Sequence, residues 1–282
     1  FIKIFKKMRK ILLVSGDSFT DKYSRSAAHP VLDCSWPKWP ELLADKLDMD
    51  VINLGRSGSG NKYIYSSLHD SLRLHPNKMN GRHIPSFNNN NVGLVVAAWS
   101  QCFREDWQER GSHGQWKNER IHDRGDLINW VRESLRIYSN FQMLCKNYNL
   151  PYIHTQMIPM YIDYLRGITP TEQQMIYKGW TIEDNTLHYP GDKIKDREEI
   201  EKIILEYDDI MDNFIEWPIT RALGGSPLNI KLFHYQVYVK DKYVDNWPSD
   251  YVISDQDGHP NAKGHELIAE TMFKYYEEKI NS

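Results

Sequence analysis

Four short stretches of this 282-residue chain carry side chains capable of chemistry. Gly16-Asp17-Ser18 places an alcohol beside a carboxylate, and Gly55 to Asn61 strings three glycines among polar residues. Trp99-Ser100-Gln101 offers a second alcohol and an amide, and Asp255-Gln256-Asp257-Gly258-His259 brings two carboxylates close to an imidazole. A serine hydroxyl is a weak nucleophile at neutral pH until an adjacent base takes its proton, and a histidine oriented by a carboxylate does this well. Backbone N–H groups beside glycines can meet an anionic oxygen because no Cβ blocks the approach. Alcohol, imidazole, carboxylate and N–H donors together are the parts of an acyl-transfer site.

Those parts work only if the fold gathers them, and the pattern predicts one that does. Lys10 to Ser15, Asp50 to Leu54, Val92 to Ala98 and Tyr152 to Ile158 are short apolar runs of the kind that form strands covered on both faces. Between them, Pro40 to Leu47, a stretch ending at Leu74, and Asp126 to Tyr148 read as helices, the last with apolar residues at spacings of three and four. Alternating strands and helices predict a parallel sheet with right-handed crossovers, an α/β fold. In such sheets ligands bind beyond the carboxyl ends of the strands, where the first three stretches fall. The fourth directly precedes a predicted last helix, Asn261 to Ile280. Regularity fails between about Leu165 and Asp250. That region reads as an insertion or cap holding one helix from Ile194 to Phe214, a Gly224-Gly225-Ser226-Pro227 break and an alternating Lys231 to Val239 segment. The expected organisation is a single domain over 8–282 with 165–250 inserted.

The blocks Gly16-Asp17-Ser18-Phe19-Thr20-Asp21, Asn53-Leu54-Gly55-Arg56-Ser57-Gly58 and Asp257-Gly258-His259-Pro260-Asn261, in that order, resemble the SGNH/GDSL hydrolases. The resemblance covers both ends of the chain and the sheet core, but not 165–250. It implies a three-layer α/β/α domain with a flavodoxin-like parallel sheet, a serine esterase activity and no cofactor. A central Gly-x-Ser-x-Gly elbow, the mark of the α/β-hydrolase type, is missing.

By the same resemblance Ser18 is the nucleophile and His259 the general base. An isolated Asp-Ser pair also serves often as a helix N-cap, but the accompanying blocks favour the nucleophile. Family members commonly place the acid three residues before the histidine, where this chain has Gln256. Asp257 is preferred because a tight glycine turn lets it reach Nδ1, with Asp255 as the alternative. The oxyanion donors implied are the N–H groups of Ser18 and Gly58, with Gly55 or Gly60 as alternatives to the latter. Where the family has an asparagine after the third strand this chain has Ser100, so Ser100 or Gln101 stands in for it. Losing one such donor costs about 2.7–4 kcal/mol of transition-state stabilisation. Asp17, Asn61, Trp99, Gln101 and Arg104 are candidate substrate contacts, although Arg104 also reads as a solvated helix-end arginine. Trp36, Trp39, Trp107 and Trp116 flank the expected mouth and fit either sugar stacking or packing. His265 reads as structural, and no set of ligands has metal spacing.

Composition narrows the class. With 35 Lys+Arg against 38 Asp+Glu the formal net charge is -3, which argues against nucleic-acid binding. Aromatic residues at 12% supply enough burial to exclude disorder as the dominant state. No apolar run approaches the roughly 20 residues of a membrane span. The basic start, FIKIFKKMRK, lacks a signal-peptide cleavage site, so residues 1–7 read as a leader, not necessarily native, ahead of Met8. Cys34, Cys102 and Cys145 lack paired spacing and fit a reducing compartment. The expected function is hydrolysis of a small-molecule or glycan ester, with an aromatic mouth leaning towards O-acetyl groups on carbohydrate. The alternatives are an O-acyltransferase using the same triad, and a degenerate glycan-binding or structural module, as on a cell or virus surface.

Overall fold

The computed structural model describes residues 9–79, 82–108, 116–120, 126–160, 181–183, 186–188, 191–219, 237–239, 242–244, 250–254 and 257–281. In chain order the elements begin with β1 (Lys10–Ser15), α1 (Trp39–Lys46), β2 (Met49–Asn53) and α2 (Asn61–Leu74). A short hairpin, β3 (Lys78–Met79) with β4 (Arg82–His83), precedes β5 (Val92–Trp99). A second hairpin, β6 (Arg104–Gln108) with β7 (Trp116–Arg120), leads into α3 (Leu127–Asn147) and β8 (Tyr152–Gln156). Two further pairs, β9 (Thr181–Glu183) with β10 (Thr186–His188) and β11 (Val237–Val239) with β12 (Lys242–Val244), flank α4 (Gly191–Glu206), and α5 (Ala262–Lys279) closes the chain.

The main sheet has the order β2-β1-β5-β8, and all its pairings are parallel. Alternation along β1 and β5 divides the core between two faces. Leu13, Val95, Ala97 and Trp99 pack in one cluster with residues of α2, α3 and α4. Leu12, Val14, Leu94, Val96 and Ala98 pack in the other with residues of α1 and α5. This is the predicted three-layer α/β/α arrangement. The chain passes from β2 over β1 to reach β5, so the direction of winding reverses between β1 and β5. The carboxyl ends of those two strands therefore open a crevice, the usual ligand position in open α/β sheets.

One expectation is overturned. The predicted single helix from Ile194 to Phe214 ends at Glu206; a 3-10 turn follows at Asp208–Met211, and Phe214 bridges to His154 at the sheet edge. The tighter turn keeps Ile210 inward while Met211 is exposed, so the apolar spacing runs on through a break in the helix. Ile200, Ile203, Ile204, Ile210, Phe214 and Ile219 belong to the main core, so this part of the expected insertion is integral to the domain. Of the alternating Lys231 to Val239 segment, Val237–Val239 forms β11, paired antiparallel with β12. The leader, the Gly224 to Pro227 break and residues 231–236 lie outside the described residues. Among the described residues no helix is long and apolar enough to cross a membrane.

Candidate active site

β1 ends at Ser15, and the chain makes a single turn in which the N–H groups of Thr20 and Asp21 donate to Asp17 O at 3.0 and 2.9 Å. No helix follows until Trp39, so Ser18 caps none. Asp17 points inward and is fully buried, which removes it from the expected substrate contacts. Its carboxylate accepts from Phe19 N–H at 3.0 Å and Ser100 Oγ at 2.7 Å, with Arg104 Nη1 at 3.4 Å. Burial raises its pKa; Arg104 and these hydrogen bonds offset only part of the rise. Pinning Asp17 leaves the neighbouring Ser18 half-buried at the crevice.

The other end of the chain arrives through the loop before α5. Asn261 caps that helix, accepting from Gly264 N–H at 3.0 Å, and its Nδ2 donates to Val252 O at 2.9 Å. Within the loop His259 Nδ1 donates to Asp257 Oδ1 at 2.5 Å, while Ser26 Oγ and Ala27 N–H donate to Asp257 Oδ2. Burial pushes the Asp257 carboxyl up, but the hydrogen bonds from Ser26 and His259 outweigh it and leave the pKa below the usual carboxylate value. An ionised Asp257 holds the proton on Nδ1 and leaves Nε2 as the acceptor. The imidazole stacks on Phe19 at 5.1 Å between centroids, with Tyr23 edge-on at 5.7 Å. The ring thus sits against the residue next to Ser18. Its hydrogen bonds run to Asp257, and none joins it to Ser18 Oγ. Asp255 lies outside the described residues.

The three loop glycines are not equivalent. Gly55 N–H donates to Asn53 Oδ1 at 2.8 Å, and Gly60 N–H donates to Asp106 at 3.0 Å. Among the described residues, the N–H groups of Gly58 and Ser18 have no intramolecular acceptor. Gly58 has φ +81, a left-handed conformation that favours glycine.

The exit of β5 differs from expectation. Ser100 gives its hydroxyl proton to Asp17, and its N–H donates to Asn61 Oδ1 at 2.8 Å, so its side chain has no proton left for a substrate oxygen. Asn61 is buried and spends its Nδ2 on Ser134 Oγ at 3.1 Å and Tyr138 Oη at 3.4 Å, which makes it a core link instead of a substrate contact. Trp99 is fully buried and stacked on Tyr138 at 4.5 Å; as a β5 residue it faces the core. Gln101 is buried, and its Oε1 accepts from Arg104 Nε at 2.7 Å. Arg104 lies on β6 with its side chain 7% exposed, bonded to Ser59 O as well as Asp17, and is neither solvated nor at a helix end. Trp39 and Trp116 are buried in packing, Trp36 is half-buried and Trp107 is 40% exposed. His265 is buried, bonded to Trp39 N–H and Tyr23, and burial lowers its pKa to about 3, in line with a structural role. Among the described residues no cluster of His, Cys, Asp or Glu could hold a metal.

The β6–β7 hairpin adds two residues that sequence pattern does not reveal. The β6–β7 register pairs Asp106 with Asn118, so both share one face of the hairpin. Asp106 accepts from Gly60 N–H and from Tyr63 N–H at 2.9 Å, capping α2. Asn118 is exposed, and its Oδ1 and Nδ2 lie 3.0 and 3.3 Å from where a Cβ on Gly58 would stand.

No protein-family model matches the chain, and no curated protein matches it. Solved structures match in the course of the backbone. An acetyl xylan esterase from Butyrivibrio proteoclasticus is 12% identical with a TM-score of 0.46, over 97% of this chain and 64% of that one. A carbohydrate esterase, whose active site is described as having divergent catalytic and non-catalytic binding functions, is 15% identical with a TM-score of 0.43, over 97% of this chain and 66% of that one. A protein assigned to the G-D-S-L lipolytic family from Desulfitobacterium hafniense is 14% identical with a TM-score of 0.43, over 94% of this chain and 99% of that one. The chain thus spans just under two thirds of the two carbohydrate-active esterases, and the third carries the family name that the sequence blocks resemble.

Proposed function

We propose that the chain is a serine esterase that hydrolyses a carboxylic ester through an acyl-enzyme. The observation that carries this reading is the His259 imidazole, tied to Asp257 through Nδ1 at 2.5 Å and stacked on Phe19 beside Ser18. In the proposed cycle Ser18 Oγ attacks the ester carbonyl while His259 Nε2 takes its proton, and Asp257 stabilises the imidazolium. The tetrahedral oxyanion accepts from the N–H groups of Ser18 and Gly58, which find no acceptor among the described residues. Asn118, over Gly58, supplies a third donor through Nδ2 in place of Ser100. His259 then returns the proton to the leaving alcohol, and a water it activates hydrolyses the Ser18 ester. The Ser18–His259 hydrogen bond forms as substrate binds, since such bonds are often looser in free enzymes.

The substrate proposed is a small acyl ester, such as an O-acetyl group on a carbohydrate. Trp36 and Trp107 are what remains of the expected aromatic platform, since Trp39 and Trp116 are core residues. The test is hydrolysis of p-nitrophenyl acetate together with labelling by a fluorophosphonate. Ser18→Ala should abolish labelling and lower kcat/KM by roughly a thousandfold or more. Turnover unchanged in that variant rejects the mechanism, and absence of both activities from the wild-type chain favours a non-catalytic module.

A further inference from the structure

Behind the nucleophile turn lies a cleft that the proposed ester chemistry does not use. It has a volume of about 400 Å³ and is walled by the end of β2, the Gly55-Arg56 turn and the β3–β4 hairpin. Lys22, Arg56 and Arg82 line it together with the apolar surfaces of Tyr63, Met79 and Ile84. No described Asp or Glu lines it, although acidic residues outnumber basic ones 38 to 35 in the whole chain.

The three cations are differently committed. Arg82 donates to Asp21 at 2.8 Å and to Gly55 O at 2.9 Å, so it builds the wall. Lys22 pairs with Glu41 at 2.8 Å on an exposed side chain that can swing. Arg56 makes no ion pair within 4 Å among the described residues, although its charge reaches the buried Asp106 carboxyl, and its buried Nη1 finds no protein acceptor. Its backbone is fixed by a hydrogen bond from its N–H to Gly16 O at 3.0 Å, and its guanidinium lies over the Tyr63 ring, 5.7 Å from the centroid. A planar cation held in place, short of acceptors and bordered by an aromatic wall suits an anionic oxygen group.

We propose that this cleft binds a carboxylate, sulfate or phosphate carried on a small organic body, with Arg56 as the principal contact and Lys22 as the second. The volume falls within the range of small-molecule sites, about 300–1,000 Å³. The proposal does not depend on ester hydrolysis, because the anion is recognised whether or not Ser18 reacts.

Calorimetric titration of the wild-type chain with sodium glucuronate, glucose and sodium sulfate at constant ionic strength tests it. Glucuronate is expected to bind at least tenfold more tightly than glucose. Arg56→Gln should weaken glucuronate about tenfold, and Lys22→Gln about threefold, since a charge-assisted contact is lost in each. Sulfate binding as tightly as glucuronate assigns recognition to charge alone; sulfate binding more weakly adds the organic body; both support the site. Glucuronate binding no better than glucose overturns the proposal, as does unchanged affinity in a folded Arg56→Gln protein. If Arg56→Gln does not fold, the wild-type ratio and the exposed Lys22→Gln variant still decide the question.

Discussion

The loop that presents His259 and the exit of β5 each set a serine hydroxyl on an aspartate, yet they end in opposite states. In the first, Ser26 and Ala27 satisfy one oxygen of Asp257 and the imidazole takes the other, which leaves the ring 29% exposed with Nε2 uncommitted by Asp257. In the second, Ser100, Asn61, Gln156 and Asp17 consume one another: Ser100 Oγ goes to Asp17, its N–H to Asn61, and Gln156 Nε2 donates to its carbonyl at 2.9 Å. Each is a polar cluster at the carboxyl edge of one sheet. What separates the group proposed to react from the structural ones here is hydrogen-bonding capacity left over after folding.

The comparison can be broken from either side. His259→Gln should cost the largest effect, a loss of at least roughly a thousandfold in kcat on p-nitrophenyl acetate, because His259 is the base proposed for Ser18 and the neighbouring Asp17 is turned inward onto Ser100 and Phe19. Its melting temperature should stay close to wild type, since Asp257 keeps Ser26 and Ala27. Asn118→Ala comes next, with kcat falling roughly 100- to 1,000-fold at nearly constant KM, as expected for a donor used in the transition state. A loss below twofold removes Asn118 from the oxyanion site. Ser100→Ala inverts the pattern: kcat should stay within about threefold, while urea unfolding should report about 1–3 kcal/mol of lost stability from the stripped Asp17. A large kcat loss at unchanged stability would return Ser100 to the chemistry and erase the distinction.

The same logic explains what could be read from the residues alone. β1, β5 and β8 announce themselves as apolar runs because helices cover both faces, and the terminal blocks carry Ser18 and His259 in the expected order. The contact of Asp257 with His259 was legible because the two lie two residues apart. Ser26, which fixes Asp257, lies 231 residues from it along the chain, and no local pattern encodes that distance. Asp106 and Asn118 sit in the polar strings REDWQ and WKNER, where period-two apolar alternation is absent and only the hairpin register reveals a shared face. Arg104 was misread for the same reason, since a charged residue after a strand looks solvated until its buried partner is known. The break in α4 was hidden because Ile210 and Phe214 keep an inward spacing through a change of backbone.

The smallest predicted effect sharpens the inward-sealed side of the comparison by pH. Burial drives the Asp106 carboxyl up to about 6 despite its hydrogen bonds from Gly60 and Tyr63. Its pKa in the fold therefore exceeds the unfolded value of 3.8, so the fold retains a proton that the unfolded chain releases. That contribution is fully present below pH 3.8 and is lost as pH rises through about 6. His154 and His265 act in the opposite sense: burial takes both down to about 3, below the unfolded 6.5, so their stabilisation is lost as pH falls from 6.5. A pH series on the wild-type chain alone mixes the two signs. Subtracting Asp106→Asn cancels the histidines, because both proteins keep them. The wild-type advantage in urea unfolding should then be larger at pH 5.0 than at pH 7.5, by about 1 kcal/mol. An advantage that is flat or shrinks towards pH 5.0 would mean that Asp106 is ionised across this range, with the α2 N–H groups strong enough to hold the charge.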